Sequence, residues 1–139
     1  MRVLVADRMR VEAGLGLLLD HVVVSIRDPD RKPARIKKDR KLRDVLALAF
    51  DDAEPGARFL LPETIRLMTL QDAKVIWAFV DKHKAAVPVL VVHCEMGMSR
   101  SPAVAAAITR GLGGDDDHFF REYLPNRFVY DLMLKARGG

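Results

Sequence analysis

Pro88 to His93 reads PVLVVH, an apolar and β-branched run too short for a helix, and it ends directly on Cys94. Five residues separate Cys94 from Arg100. From Ser101 the chain becomes Ala-rich (SPAVAAAITRGL) until Gly113-Gly114 stops it. This order requires a buried strand, a tight loop and a helix in succession. A strand apolar on both faces also needs neighbours and cover on both sides.

The rest of the chain supplies them. Val3–Ala6, His21–Ile26 and Val45–Phe50 are compact apolar runs that read as buried strands. Arg8–Leu19 has helical spacing weakened by Gly14 and Gly16. Leu61–Ala85 places Ile65, Met68, Val75, Ile76, Phe79 and Val80 at helical spacing, with a break at Thr69 or Gln71-Asp72. Asp115–Tyr123 and Asn126–Ala136 read as short helices on either side of Pro125. Strands alternating with helices predict an α/β fold, a central mostly parallel sheet flanked by helices, in one compact domain over 1–139. Ligands of such sheets bind at the carboxyl ends of the strands. That rule sets Asp51-Asp52 and the Cys94 loop on the same edge.

Several classes fall away on composition. A single cysteine excludes an intrachain disulfide and suits a reducing compartment, so the expected location is cytoplasmic. His21, His83, His93 and His118 show no metal-ligand spacing, and Asp115-Asp116-Asp117 reads as a helix start, so neither metal nor cofactor is expected. No run reaches the ~18 apolar residues of a membrane span. The opening Met1–Ala6 is too short for a signal peptide. Arg27–Arg43, with Pro29 and Pro33, reads as a long surface loop with at most a short helix; it holds nine cations against three acids in a chain of net charge +4. A solvated loop is the plain reading; attraction of an anionic substrate is the sharper one. The stretch has no aromatic residue, which argues against nucleic acid as a partner.

The loop explains itself chemically. Successive backbone N–H groups of Glu95, Met96, Gly97, Met98 and Ser99 can curl around one anion, and a helix N-terminus adds partial positive charge behind them. Gly97 permits the close or left-handed backbone this curl needs. Arg100 offers a planar fork for two phosphate oxygens. Ser101 is a candidate helix cap, with Pro102 at the first helical position. The same field favours a Cys94 thiolate, which beneath a phosphate ester is placed to attack phosphorus.

The string HCEMGMSRSPAV resembles the active-site loop of the protein tyrosine phosphatase superfamily, in its dual-specificity branch, and Pro125-Asn126…Phe128…Leu132 resembles that branch's closing motif. The likeness in architecture extends from about Val45 to Leu132. It implies a phosphomonoester hydrolase working through a phosphocysteine intermediate. Cys94 would be the nucleophile, Arg100 the phosphate clamp, and Glu95 to Ser99 the backbone donors. Ser101 would hydrogen-bond the sulfur, and His93 would shape the loop without acting as the acid. The family's general acid follows the preceding strand, which selects Asp52 first and Asp51 second. A phosphorylated substrate, foremost a phosphoprotein, is the implied partner. Phosphoinositide, polyphosphate or RNA 5′-phosphate substrates on the same scaffold, and an inactive phosphate-binding module, are the alternatives. Sulfur transfer and arsenate reduction fit poorly, because the chain has no second cysteine.

Overall fold

The structure is a computed structural model and describes residues 1–55 and 64–138. Four strands, β1 (Arg2–Asp7), β2 (His21–Arg27), β3 (Leu42–Ala49) and β4 (Val89–Cys94), form one parallel sheet in the order β1-β4-β2-β3. β4, the last strand in sequence, is therefore inserted between β1 and β2. Its sequence VLVVHC and that of β2, HVVVSIR, are continuously apolar or nearly so because both strands are central and covered on both faces.

The outer strands behave differently from the expectation of buried runs. β3 starts three residues earlier than Val45, ends before Phe50, and alternates in burial along LRDVLALA. Leu46 and Leu48 face the main core, while Arg43, Val45 and Ala47 lie on the opposite face, which is exposed at this edge strand. β1, the opposite edge, buries Val3, leaves Leu4 to Asp7 half-buried and exposes Arg2.

The five helices among the described residues follow from local signals. The helical run read from Arg8 stops early: α1 covers only Arg8–Ala13, and Gly14 ends it at φ 119°, a backbone that L side chains avoid. Asp7 caps it by accepting from the Arg10 amide. α2 (Leu70–His83) begins at a capping box of Thr69 and Asp72, so Ile65 and Met68 precede the helix although their spacing matched it. Residues 61–63 of that expected helix lie outside the described residues. α3 (Arg100–Gly111), α4 (Asp117–Glu122) and α5 (Arg127–Ala136) complete the set. The acidic triplet sits at the start of α4, where Asp115 accepts from the Asp117 amide and Asp116 from the Tyr130 hydroxyl.

The main core lies on one face of the sheet, between Val22, Val24, Leu90 and Val92 and the apolar sides of α2, α3 and α5. The Trp77 indole N–H ties α2 to α5 by donating to the Met133 carbonyl at 2.8 Å. The other face has a thinner cover: Leu15, Leu17 and Ile36 pack on Val23, Val89 and Val91. The basic segment runs along this side without any helix. Its Lys37 amide donates to the Val11 carbonyl and its Arg35 amide to Glu12 Oε2.

Candidate active site

Insertion of β4 between β1 and β2 brings three strand ends together. Cys94 lies in register with Asp7, and His93 with Ser25. The thiol is 2 % exposed and its Sγ lies 3.1 Å from Ser101 Oγ. Residues 95–99 then loop back over the sheet edge to the first turn of α3.

Gly97 is the tightest point of the loop. Its φ is +68°, and a Cβ there would stand 3.0 Å from the Ala6 carbonyl oxygen and 3.1 Å from the Asp7 nitrogen. Both conditions demand glycine. Ser99, not Ser101, occupies the cap position of α3, and it makes no side-chain cap bond. Ser101 is inside the helix and fully buried, so its hydroxyl serves the thiol instead of the expected cap. Pro102 stands correspondingly two residues deeper in the first turn than expected.

Arg100 is 5 % exposed. Its Nη1 donates to the Phe50 carbonyl at 2.7 Å and pairs with Asp28 Oδ1 at 2.7 Å. Its Nε is buried with no partner among the described residues. An unmatched buried donor on a cation costs about 1–3 kcal/mol or more. One edge of the guanidinium is thus anchored, and the Nε side still requires an acceptor.

His93 bridges the strands below. Its Nδ1 lies 3.2 Å from the Cys94 carbonyl and its Nε2 2.6 Å from Ser25 Oγ. A carbonyl can only accept, so Nδ1 carries the proton and Nε2 accepts from the serine. Burial pushes the imidazole below its ordinary pKa, which favours this neutral form.

The two candidate acids part ways. Asp51 turns to the following segment: its Oδ2 accepts from the Arg66 amide at 2.8 Å, and its own amide donates to the Arg66 carbonyl. Asp52 turns to the loop. Its Oδ1 accepts from Ser99 Oγ at 2.8 Å and from Asn126 Nδ2 at 2.9 Å. Asn126 also donates to the Ala53 carbonyl and caps α5 by accepting from the Val129 amide. It is both a cap and a tie between α5 and the Asp52 segment.

Two groups in the site escaped sequence reasoning. Asp28 sits just past β2, a central strand beside β4, and the strand-end rule points there; the surrounding cations made the segment read as solvated loop. Arg8 pairs with Glu95 at 3.0 Å, and Arg31 approaches the same carboxylate at 3.5 Å. The Arg8 amide also donates to the Glu95 carbonyl. The head of the basic segment thus touches the candidate phosphate loop, while Lys41 and Arg43 pair with Asp20 at the far end of the sheet.

Neither a protein-family model nor a curated protein sequence matches the chain. Solved structures do. Human tyrosine phosphatase-like serine/threonine/tyrosine-interacting protein aligns with a TM-score of 0.63 at 18% identity, over 98% of this chain and 91% of that one. Human DUSP28 aligns with a TM-score of 0.64 at 15% identity, over 98% and 91%. PTPMT1 in complex with PI(5)P aligns with a TM-score of 0.58 at 13% identity, over 99% and 90%. The alignments span nearly the whole of this chain, so its parallel sheet, ordered β1-β4-β2-β3 with a Cys-to-Arg loop leaving the inserted strand, has the fold of these dual-specificity-phosphatase-like structures.

Proposed function

We propose that the chain is a cysteine-dependent phosphomonoester hydrolase acting on phosphoproteins. The observation that supports this most is the unmatched, buried Nε of Arg100 beside a loop that begins on a buried cysteine. A phosphate oxygen accepting from Nε removes the cost of that orphan, and the backbone donors of Glu95 to Ser99 take the remaining oxygens.

The reaction follows in two steps. Cys94 Sγ attacks phosphorus, an S–P bond forms, and the ester P–O bond breaks. Asp52 gives its proton to the departing alkoxide or phenoxide. Asp52, now a carboxylate, takes a proton from water as that water attacks phosphorus; the S–P bond breaks, inorganic phosphate leaves, and the Ser101 hydroxyl donates to the departing sulfur. Asp52 suits this part through its attachment to Ser99 and Asn126, and its Oδ2 makes no hydrogen bond among the described residues. Neutral His93 holds the Cys94 carbonyl and takes no part in proton transfer.

The loop side chains favour a phosphoprotein over a polyanion. Between Cys94 and Arg100 stand Glu95, Met96, Gly97, Met98 and Ser99, none of them a cation for a second phosphate group. Steady-state hydrolysis of p-nitrophenyl phosphate tests the chemistry. Cys94→Ser abolishes turnover and retains vanadate binding; normal turnover in that variant rejects the nucleophile. Asp52→Asn lowers kcat with little change in KM; if Asp51→Asn is the crippled variant, the neighbour is the acid. A phosphotyrosine peptide should be turned over faster than an inositol phosphate at equal ionic strength.

A further inference from the structure

β1 pairs with β4 and with no other strand among the described residues, so its outer side is a sheet edge. The Arg2 amide donates to Pro88 and the Arg8 amide to Glu95, which turns the even-numbered amides of β1 toward β4. The alternation of a parallel ladder then turns the amides and carbonyls of Val3 and Val5 outward. A groove of about 700 Å³ follows this edge. Leu15 and Leu17 line it on one face of the sheet and Tyr123 on the other, Met9 of α1 adds to its wall, and Met96 and Met98 of the candidate phosphate loop stand at its head. A second recess, lined by Met1, Arg2 and Val3, continues along the same strand.

We infer that this edge is a docking site for an extended segment of the phosphoprotein substrate, which adds to the sheet beside β1; the inference rests on the phosphatase reading above. A row of outward main-chain donors and acceptors is matched by another extended backbone, whereas an acyl chain or a small ester leaves it unmatched. Continuity with the loop selects the substrate as the occupant. Cys94 is the register partner of Asp7, so an added strand lies two strand spacings, roughly 10 Å, from β4, a gap that about three extended residues cover. The walls suit varied side chains: Met9 is 78 % and Met96 76 % exposed, and thioether chains adapt their shape. A second copy fits less well. Antiparallel pairing of two β1 strands about Val5 would set Arg2 of one against Arg8 of the other.

The test uses phosphotyrosine peptides that carry a short valine–threonine arm, joined by a glycine–serine linker on the N-terminal or the C-terminal side. Each is also made with alternate arm amides N-methylated. One armed peptide should exceed blocked phosphotyrosine in kcat/KM by about tenfold, the net of a few backbone hydrogen bonds and the cost of ordering the arm. N-methylation should erase the gain. Met9→Asp should shrink it while p-nitrophenyl phosphate turnover stays unchanged. Equal rates for armed, methylated and blocked substrates overturn the proposal. So does a concentration-dependent dimer that Met9→Asp dissolves in the absence of any arm effect, because the edge then belongs to a second copy. Fluorescence anisotropy of the arm alone, without phosphate, reads the groove independently of catalysis. Arm binding without turnover rejects the phosphatase reading and keeps the groove; turnover without arm binding does the reverse.

Discussion

Gly97→Ala isolates the physical demand that shapes the loop. Gly97 has φ +68°, a region that costs an alanine about 1–2 kcal/mol. Its added methyl would meet the backbone of Ala6 and Asp7 at 3.0–3.1 Å, closer than nearly all real Cβ contacts. Neither partner is the flexible end of a side chain, so either the loop or β1 must shift, at about 1–3 kcal/mol. The variant should therefore lose roughly 2–5 kcal/mol, a large share of the roughly 5–15 kcal/mol typical of a domain. Gly16→Ala is the matched control. Its φ is +64° and nothing among the described residues lies within 4 Å of its Cβ position, so it keeps only the backbone cost. Urea unfolding of both variants separates the two contributions, and a difference of about 2 kcal/mol moves the midpoint by roughly 1 M. A loop that relaxes by moving off β1 would instead weaken vanadate binding. If Gly97→Ala matches Gly16→Ala in midpoint and binds vanadate as wild type does, the close approach is not what holds the loop.

Three further outcomes follow from the site. Asp28→Ala should raise KM for p-nitrophenyl phosphate about tenfold by releasing Arg100 Nη1, a charge-assisted contact; Asp28→Asn, which can still accept, should recover much of the loss. Asn126→Ala should destabilise the fold by about 1–2 kcal/mol through its lost cap and lower kcat by loosening Asp52, measured by urea unfolding and initial rates. Because burial holds folded His93 below its unfolded value of 6.5, the unfolded chain binds the extra proton first, and stability should fall as pH drops below 6.5. Urea midpoints of wild type and His93→Gln across that range check this; equal slopes would mean that His93 does not contribute.

The Cys94 loop was legible because its strand, donors, glycine and arginine are contiguous, and local geometry settles how they meet. The central strands were legible for a similar reason: VLVVHC and HVVVSIR have no polar face to offer solvent. What escaped depends on distant partners. Arg8 and Glu95 lie 87 residues apart, and no local pattern announces their ion pair. Asp28 was hidden in a segment whose cations dominate its composition, although its carboxylate is set against the most buried arginine of the site. Ser101 illustrates competition between two local roles. A serine before an Ala-rich run reads as a cap, while the family resemblance sets it on the sulfur; the helix starts earlier, and only the contact with the thiol is present. Asp52 ranks ahead of Asp51 by its place after the strand, but as neighbours in a turn the two differ little in sequence; the placement of Arg66 on one side and Asn126 on the other separates them in space.

On the proposed mechanism Cys94 takes the phosphoryl group during turnover. Quenching the enzyme in acid during steady-state hydrolysis, then mapping peptides by mass spectrometry, reads that transfer at the residue itself. Phosphate is expected on the Cys94 peptide, enriched in Asp52→Asn because the second step slows, and absent in Cys94→Ser. Turnover with phosphate on another residue, or an unmodified Cys94 in an Asp52→Asn enzyme that still shows a burst of product, would contradict it.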